Sequence, residues 1–199
     1  SANNVAYRFQ MLLGAPTNAP AGTPYIYYSR VSDLIRADIL SGTVEPILTT
    51  GIGGSVIAAD TVRGKLYILD NLNHIDRLNF DGTGRSTVVA NVNPNGVLRP
   101  AESLAVDELS GRIYWAEPLF GVVTRILSAN GDGSDVRQLI GSVVYDHGIA
   151  VDSVAGWLYW AETDTQRAMD VIRRSNLDGS DVQTIYAAPV GRQIRDLTL

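Results

Sequence analysis

Eight polar residues stand at two recurring levels of a repeated sequence, and their types are mixed. Ser55, Glu102 and His147 each lie five residues before a recurring aspartate, and Arg195 takes the matching place near the end of the chain. A carboxylate, an imidazole and a guanidinium gathered at one point can bind a polar ligand or move a proton. The plain alternative is a solvated entrance whose charges pair with one another. Arg30, Asp70, Glu117 and Glu162 close a second recurring segment at a similar level, further out. We assign no catalytic residue, no metal and no cofactor to these positions. The only histidines are His74 and His147, too few for a multi-histidine metal site, and cysteine is absent, which excludes thiolate ligands and disulfides. No phosphate-binding loop, nucleophile elbow or zinc-protease helix motif occurs. The stretch NGDGSD at 130–135 looks like the start of a calcium loop, but it lacks the glycine and the terminal glutamate that such a loop needs.

The elements that would position these residues are repeats. IYYSR (26–30), LYILD (66–70), IYWAE (113–117) and LYWAE (158–162) resemble one another, with tyrosines at 27, 67, 114 and 159. VIAAD (56–60), SLAVD (103–107) and GIAVD (148–152) precede three of them. A turn-bearing segment follows each: ILSGTVEPIL (39–48), NFDGTGRSTVV (79–89), NGDGSDVRQLI (130–140) and NLDGSDVQTIY (176–186). Each unit reads as four short strands, and its Asp-Gly or Ser-Gly pair supplies the positive φ of a tight hairpin. Four strands per 40–47 residues is the size of a propeller blade.

The expected fold is therefore all-β: a β-propeller with four blades of four antiparallel strands. The chain reads as a single domain over 1–199, with an N-terminal strand and loop at 1–24. Blades fall at about 25–54, 55–101, 102–146 and 147–194, and 195–199 forms a closing strand. The first unit lacks its inner strand, and 195–199 aligns with SLAVD, so the C-terminus is expected to fill that gap. The competing donor is VAYRFQMLL at 5–13.

The pattern LAVD, then LYWAE, then NLDGSD resembles the YWTD repeat of the low-density lipoprotein receptor group. It runs from residue 25 to 199 and is best kept in the last two units. Ala-Glu stands where that family has Thr-Asp, and Tyr28 and Ile68 replace the tryptophan. The resemblance implies blade architecture and a receptor-type binding role. The repeated Asp60, Asp107 and Asp152 suit a structural task, accepting backbone N–H groups in the following turn. The repeated tyrosines, with Trp115 and Trp160, suit packing between blades.

Apolar residues placed in predicted loops mark a partner surface: Leu119, Phe120, Tyr145 and Met169, with Val122 nearby. Trp157 stands on the opposite face, where other units carry Lys65 and Arg112. The 199 residues carry a net charge of −5, which speaks against a nucleic-acid surface. No apolar run approaches a bilayer span. The expected function is non-catalytic recognition of a protein or glycan through the loop face and channel mouth. The alternatives are a propeller enzyme similar to lactonases or strictosidine-synthase-like proteins, and an assembly module, with a homodimer in view. An extracellular or secreted setting is expected.

Overall fold

The structure is a computed structural model. It describes residues 8–11, 25–30, 33–49, 56–70, 72–92, 103–120, 123–144, 148–189, 191–194 and 197. Among these residues the chain forms strands and turns and no helix, and the strands make four antiparallel sheets of four, the blades of a β-propeller.

The chain divides into two compact units, Ser1–Asn91 and Val92–Leu199, with two blades in each. Blade one holds β1 (Arg8–Met11), β2 (Tyr25–Arg30), β3 (Asp33–Asp38) and β4 (Val44–Leu48). Blade two holds β5 (Val56–Asp60), β6 (Lys65–Leu69), β7 (Ile75–Asn79) and β8 (Ser86–Val89). In the second unit, blade three holds β9 (Leu104–Asp107), β10 (Arg112–Phe120), β11 (Val123–Ala129) and β12 (Arg137–Val144). Blade four holds β13 (Ile149–Asp152), β14 (Trp157–Asp164), β15 (Met169–Asn176) and β16 (Gln183–Ala187).

One expectation is corrected. The inner strand of blade one is β1, paired with β2 from Arg8↔Ser29 to Met11↔Ile26, and not the segment 195–199. Leu197, the described residue of that segment, belongs to no strand. Chain connectivity favours this choice. β1 lies 13 residues upstream of Tyr25, whereas 195 lies 164 residues beyond Arg30.

Each unit has a core between its two blades, built from the alternation of each strand. In the first unit Tyr25, Tyr27 and Leu34 of blade one pack against Ile57, Leu66, Ile68, Leu78 and Phe80. In the second, Tyr114, Ile126 and Val143 of blade three meet Ile149, Leu158 and Trp160 of blade four. The repeated tyrosine also has a polar task. Tyr27 donates its hydroxyl to the Phe80 carbonyl at 3.2 Å, and Tyr114 donates to the Leu177 carbonyl at 3.4 Å. Burial of each ring pushes the Tyr27 and Tyr114 phenols up to about 12.

The turns that supply those carbonyls are self-contained. In the turn beginning at Asn176, Asp178 accepts the Ser180 N–H and hydroxyl, and the Asn176 side chain donates to the Ser180 hydroxyl. Asn79–Asp81–Thr83 and Asn130–Asp132–Ser134 repeat the pattern. The glycine inside has a second use beyond its positive φ. A Cβ on Gly179 would sit 2.8 Å from the Leu139 carbonyl oxygen of the preceding blade, and one on Gly82 would strike the Ile47 carbonyl. Ile47 and Leu139 are the bulged residues of their outer strands, where register slips between Leu34/Ile35 and between Ile126/Leu127.

Candidate functional site

The loop face of each blade is built where the second strand hands over to the third. Asp70, Glu117 and Glu162 all sit there and all are buried, at 4%, 3% and 7% exposure. Each is held by its own neighbourhood. Asp70 closes the β6–β7 connection: its Oδ1 accepts the N–H groups of Leu72 and His74 at 3.0 and 2.9 Å, with His74 Nδ1 3.6 Å from Oδ2. Glu117 lies opposite Arg125 across the β10–β11 ladder and accepts from its Nη2 at 2.6 Å. Glu162 forms an ion pair with Arg173, and the Val144 N–H, at the end of blade three's outer strand, points at its Oε2 at 3.4 Å. Burial pushes the Glu162 carboxyl up despite Arg173, which acts in the opposite direction.

Two further buried acids belong to this level and were missed by motif reading. Asp76 on β7 takes Arg85 through Nε at 2.6 Å and Thr87 through its hydroxyl at 2.7 Å. Asp170 on β15 accepts from Thr163 at 2.8 Å and from the Ile194 N–H at 2.8 Å, tying the segment after β16 back to the blade. The signal available in the sequence for Asp170 was symmetry about its hairpin: Thr163 and Asp170 are cross-strand partners, equally far from its centre.

The remaining sequence candidates divide clearly. Ser55, Glu102, His147, Arg195 and Tyr145 lie outside the described residues, as do the side chains of Arg30 and Phe120. The register that aligned Arg195 with Glu102 and His147 rested on 195–199 filling blade one, a place that β1 occupies. Leu119 and Met169 are half-buried, near the tip of β10 and at the start of β15. The hairpins that carry them are long: β10 has nine residues and β14 eight, against five for β6. At about 3.3 Å per residue, β10 reaches roughly 13 Å further than β6. A bulge between Pro118 and Phe120 re-aims the tip of the β10–β11 hairpin.

The opposite face carries the structural aspartates. Asp152 accepts the Val154 and Ala155 N–H groups at 3.0 and 2.8 Å. Asp60 accepts that of Arg63 at 2.9 Å, and Asp107 that of Leu109 at 3.1 Å. An open groove of about 300 Å³ in the second unit lies here, lined in part by Arg112, Tyr114, Arg137 and Asp178. Arg112 is committed within it to Asn130 at 2.7 Å, Ser128 at 3.0 Å and Asp135 at 2.9 Å. Among the described residues no group of three or more His, Asp or Glu side chains is placed to hold a metal ion.

No protein-family model matches the chain. The protein named cueball from Drosophila erecta is 35% identical over 82 residues, 40% of this chain and 12% of that protein. Its counterpart from Drosophila grimshawi is 37% identical over 98 residues, 46% of this chain and 15% of that one. The match thus spans a small part of those relatives' length. Among solved structures, a chain of a nidogen/laminin complex superposes with a TM-score of 0.69 at 18% identity, covering 88% of this chain and 64% of that one. A putative TolB from Agrobacterium tumefaciens gives 0.69 at 15% identity, covering 91% and 62%. These likenesses show the propeller fold.

Proposed function

We propose that this chain is a recognition propeller of the YWTD type that binds a protein partner through the loop face of its second unit. The observation that carries the reading is the extension of the β10–β11 and β14–β15 hairpins, which present Leu119 and Met169 on stiff supports. Their charged bases are fixed by Glu117–Arg125 and Glu162–Arg173, so the surface gives up little entropy on binding. The nidogen neighbour comes from a protein–protein complex, which accords with a protein ligand, and an extracellular setting suits both.

The test is affinity capture with three forms of the chain. The double variant Leu119→Asp/Met169→Asp is expected to lose the captured protein. Leu109→Asp, which alters an exposed residue of the opposite face, is expected to keep it. Retention by the loop-face variant, or equal loss in both, overturns the assignment of the surface.

A further inference from the structure

The third strand of each blade places a residue opposite the repeated tyrosine. Register pairs Tyr27 with Arg36, Tyr67 with Arg77 and Tyr159 with Arg174. Blade three departs from this pattern, because Tyr114 is paired with Ser128.

In the first unit the arginine fills the space beside its tyrosine. Arg36 lies 4.8 Å from the centre of the Tyr25 ring, and its Nε donates to Glu45 at 2.9 Å. Its Nη1 donates at 3.4 Å to the Phe80 carbonyl, which also accepts the Tyr27 hydroxyl at 3.2 Å. Asp81 follows Phe80 in that turn. The Thr83 hydroxyl and N–H hold its carboxyl below the usual range, and the Arg36 charge adds to this.

The second unit has the same walls without that side chain. Tyr114, Leu139, Leu177 and Asp178 stand where Tyr27, Ile47, Phe80 and Asp81 stand, and the groove of about 300 Å³ is lined by these four together with Ser128. Among the described residues the Leu177 carbonyl accepts only the Tyr114 hydroxyl, at 3.4 Å. The Asp178 carboxyl is held low by the Ser180 hydroxyl and N–H, both on Oδ1, and by no cation among the described residues. The two cations of the groove, Arg112 and Arg137, are both paired with Asp135, at 2.9 Å each. The groove therefore offers an apolar wall, a carbonyl with one long donor and a carboxylate with one oxygen left open.

We infer that this groove is a docking site for an arginine side chain of a partner polypeptide, which takes the place in the second unit that Arg36 holds in the first and donates to the Leu177 carbonyl and to Asp178. The occupant is an arginine because the other blades carry one at this position, and the acceptors it serves in the first unit are left over where Ser128 replaces it. The planar fork of a guanidinium can meet a carbonyl and a carboxylate at once, whereas an ammonium acts as a point charge. The site lies wholly within the second unit, on the face opposite the extended hairpins, and does not rest on the loop-face reading.

The test titrates the whole ¹⁵N-labelled chain with N-acetyl-arginine methylamide and reads the amide shifts. Saturable shifts are expected at Ser128, Leu139, Leu177 and Asp178, with a dissociation constant of roughly 1 mM, the scale of one small fragment. N-acetyl-glutamate methylamide is expected to leave those amides unmoved. Ser128→Arg puts back the residue of the other blades and is expected to abolish the saturable shifts while the rest of the spectrum stays in place. Asp178→Asn keeps an oxygen for Ser180 but removes the charge, and is expected to weaken binding about threefold. It decides the matter if Ser128→Arg disturbs the fold. No saturable shift with the arginine probe, an equal or stronger response to the glutamate probe, or undiminished binding in a folded variant overturns the proposal.

Discussion

Replacing Gly179 by alanine tests the blade-to-blade contact directly. Two costs are expected. The residue has φ +85°, and holding a non-glycine residue in the left-handed region costs about 1–2 kcal/mol. The new Cβ would also stand 2.8 Å from the Leu139 carbonyl oxygen and 3.0 Å from the Leu139 Cβ. The neighbour is backbone rather than the end of a flexible side chain, so relief requires the two blades to move apart, an overpacking cost of about 1–3 kcal/mol. Gly156 is the control. It lies in the same unit at φ +75°, and a Cβ there meets nothing within 4 Å, so Gly156→Ala bears the dihedral cost alone. Urea unfolding of both variants, followed by tryptophan fluorescence, should place Gly179→Ala below Gly156→Ala by the overpacking difference. Equal losses would show that the turn is not held against β12 and would remove the basis for reading the glycine as a contact residue.

The raised phenols of Tyr27 and Tyr114 set an alkaline limit. Each neutral form is favoured by the fold, so the stabilisation is complete below the ordinary tyrosine value near 10 and is lost as pH rises through about 12. That displacement corresponds to about 3 kcal/mol per residue, and unfolding monitored between pH 10 and 12 should move to higher pH in Tyr27→Phe; an unchanged midpoint would refute the linkage. At the acid end, Asp135 is held below its usual range first by Arg137 and then by Arg112, so its contribution is present above about pH 4 and fades as pH falls through the lowered value. Asp135→Asn should flatten the acid limb of the stability curve, and an unaltered limb would count against it. Arg125→Ala leaves Glu117 buried without its partner and should cost about 3–5 kcal/mol, read by thermal unfolding, with Glu117→Gln/Arg125→Ala recovering part of the loss.

The sequence made the blades legible because their devices are local. The NGDGSD and NLDGSD turns, the tight turns after Asp60, Asp107 and Asp152, and the alternating strands each specify themselves within a few residues. The inner strand of blade one was not legible for the opposite reason. RFQM lacks the LAVD pattern, and alternation says that a segment is a strand without naming its partner. The charged ends of the second strands misled in another way. Asp70, Glu117 and Glu162 read as solvated rim groups because carboxylates are rarely buried unless paired, and their partners are fixed by cross-strand register and turn geometry rather than by any short motif. Tyr159 shows the converse. Its sequence context is that of Tyr114, yet it is half-buried where Tyr114 is fully buried, and the burial of Tyr114 comes in part from Leu177 of the next blade's turn rather than from its own strand alone.

The two edges of each blade therefore work under different constraints. At the turn edge, the glycine and the tyrosine hydroxyl address the neighbouring blade's backbone, so Gly179, Leu177 and Tyr114 depend on one another and tolerate little change. At the loop edge, each acid is satisfied within its own blade or by one neighbouring N–H, as Glu117 is by Arg125 and Asp76 by Arg85 and Thr87. A hairpin tip beyond such a closed pair can lengthen without disturbing the packing below it. β10 and β14 have lengthened in that way, whereas Asp70 ends β6 in a tight turn closed by Leu72 and His74. Variation in what the propeller contacts is thus confined to the edge where the core does not depend on it.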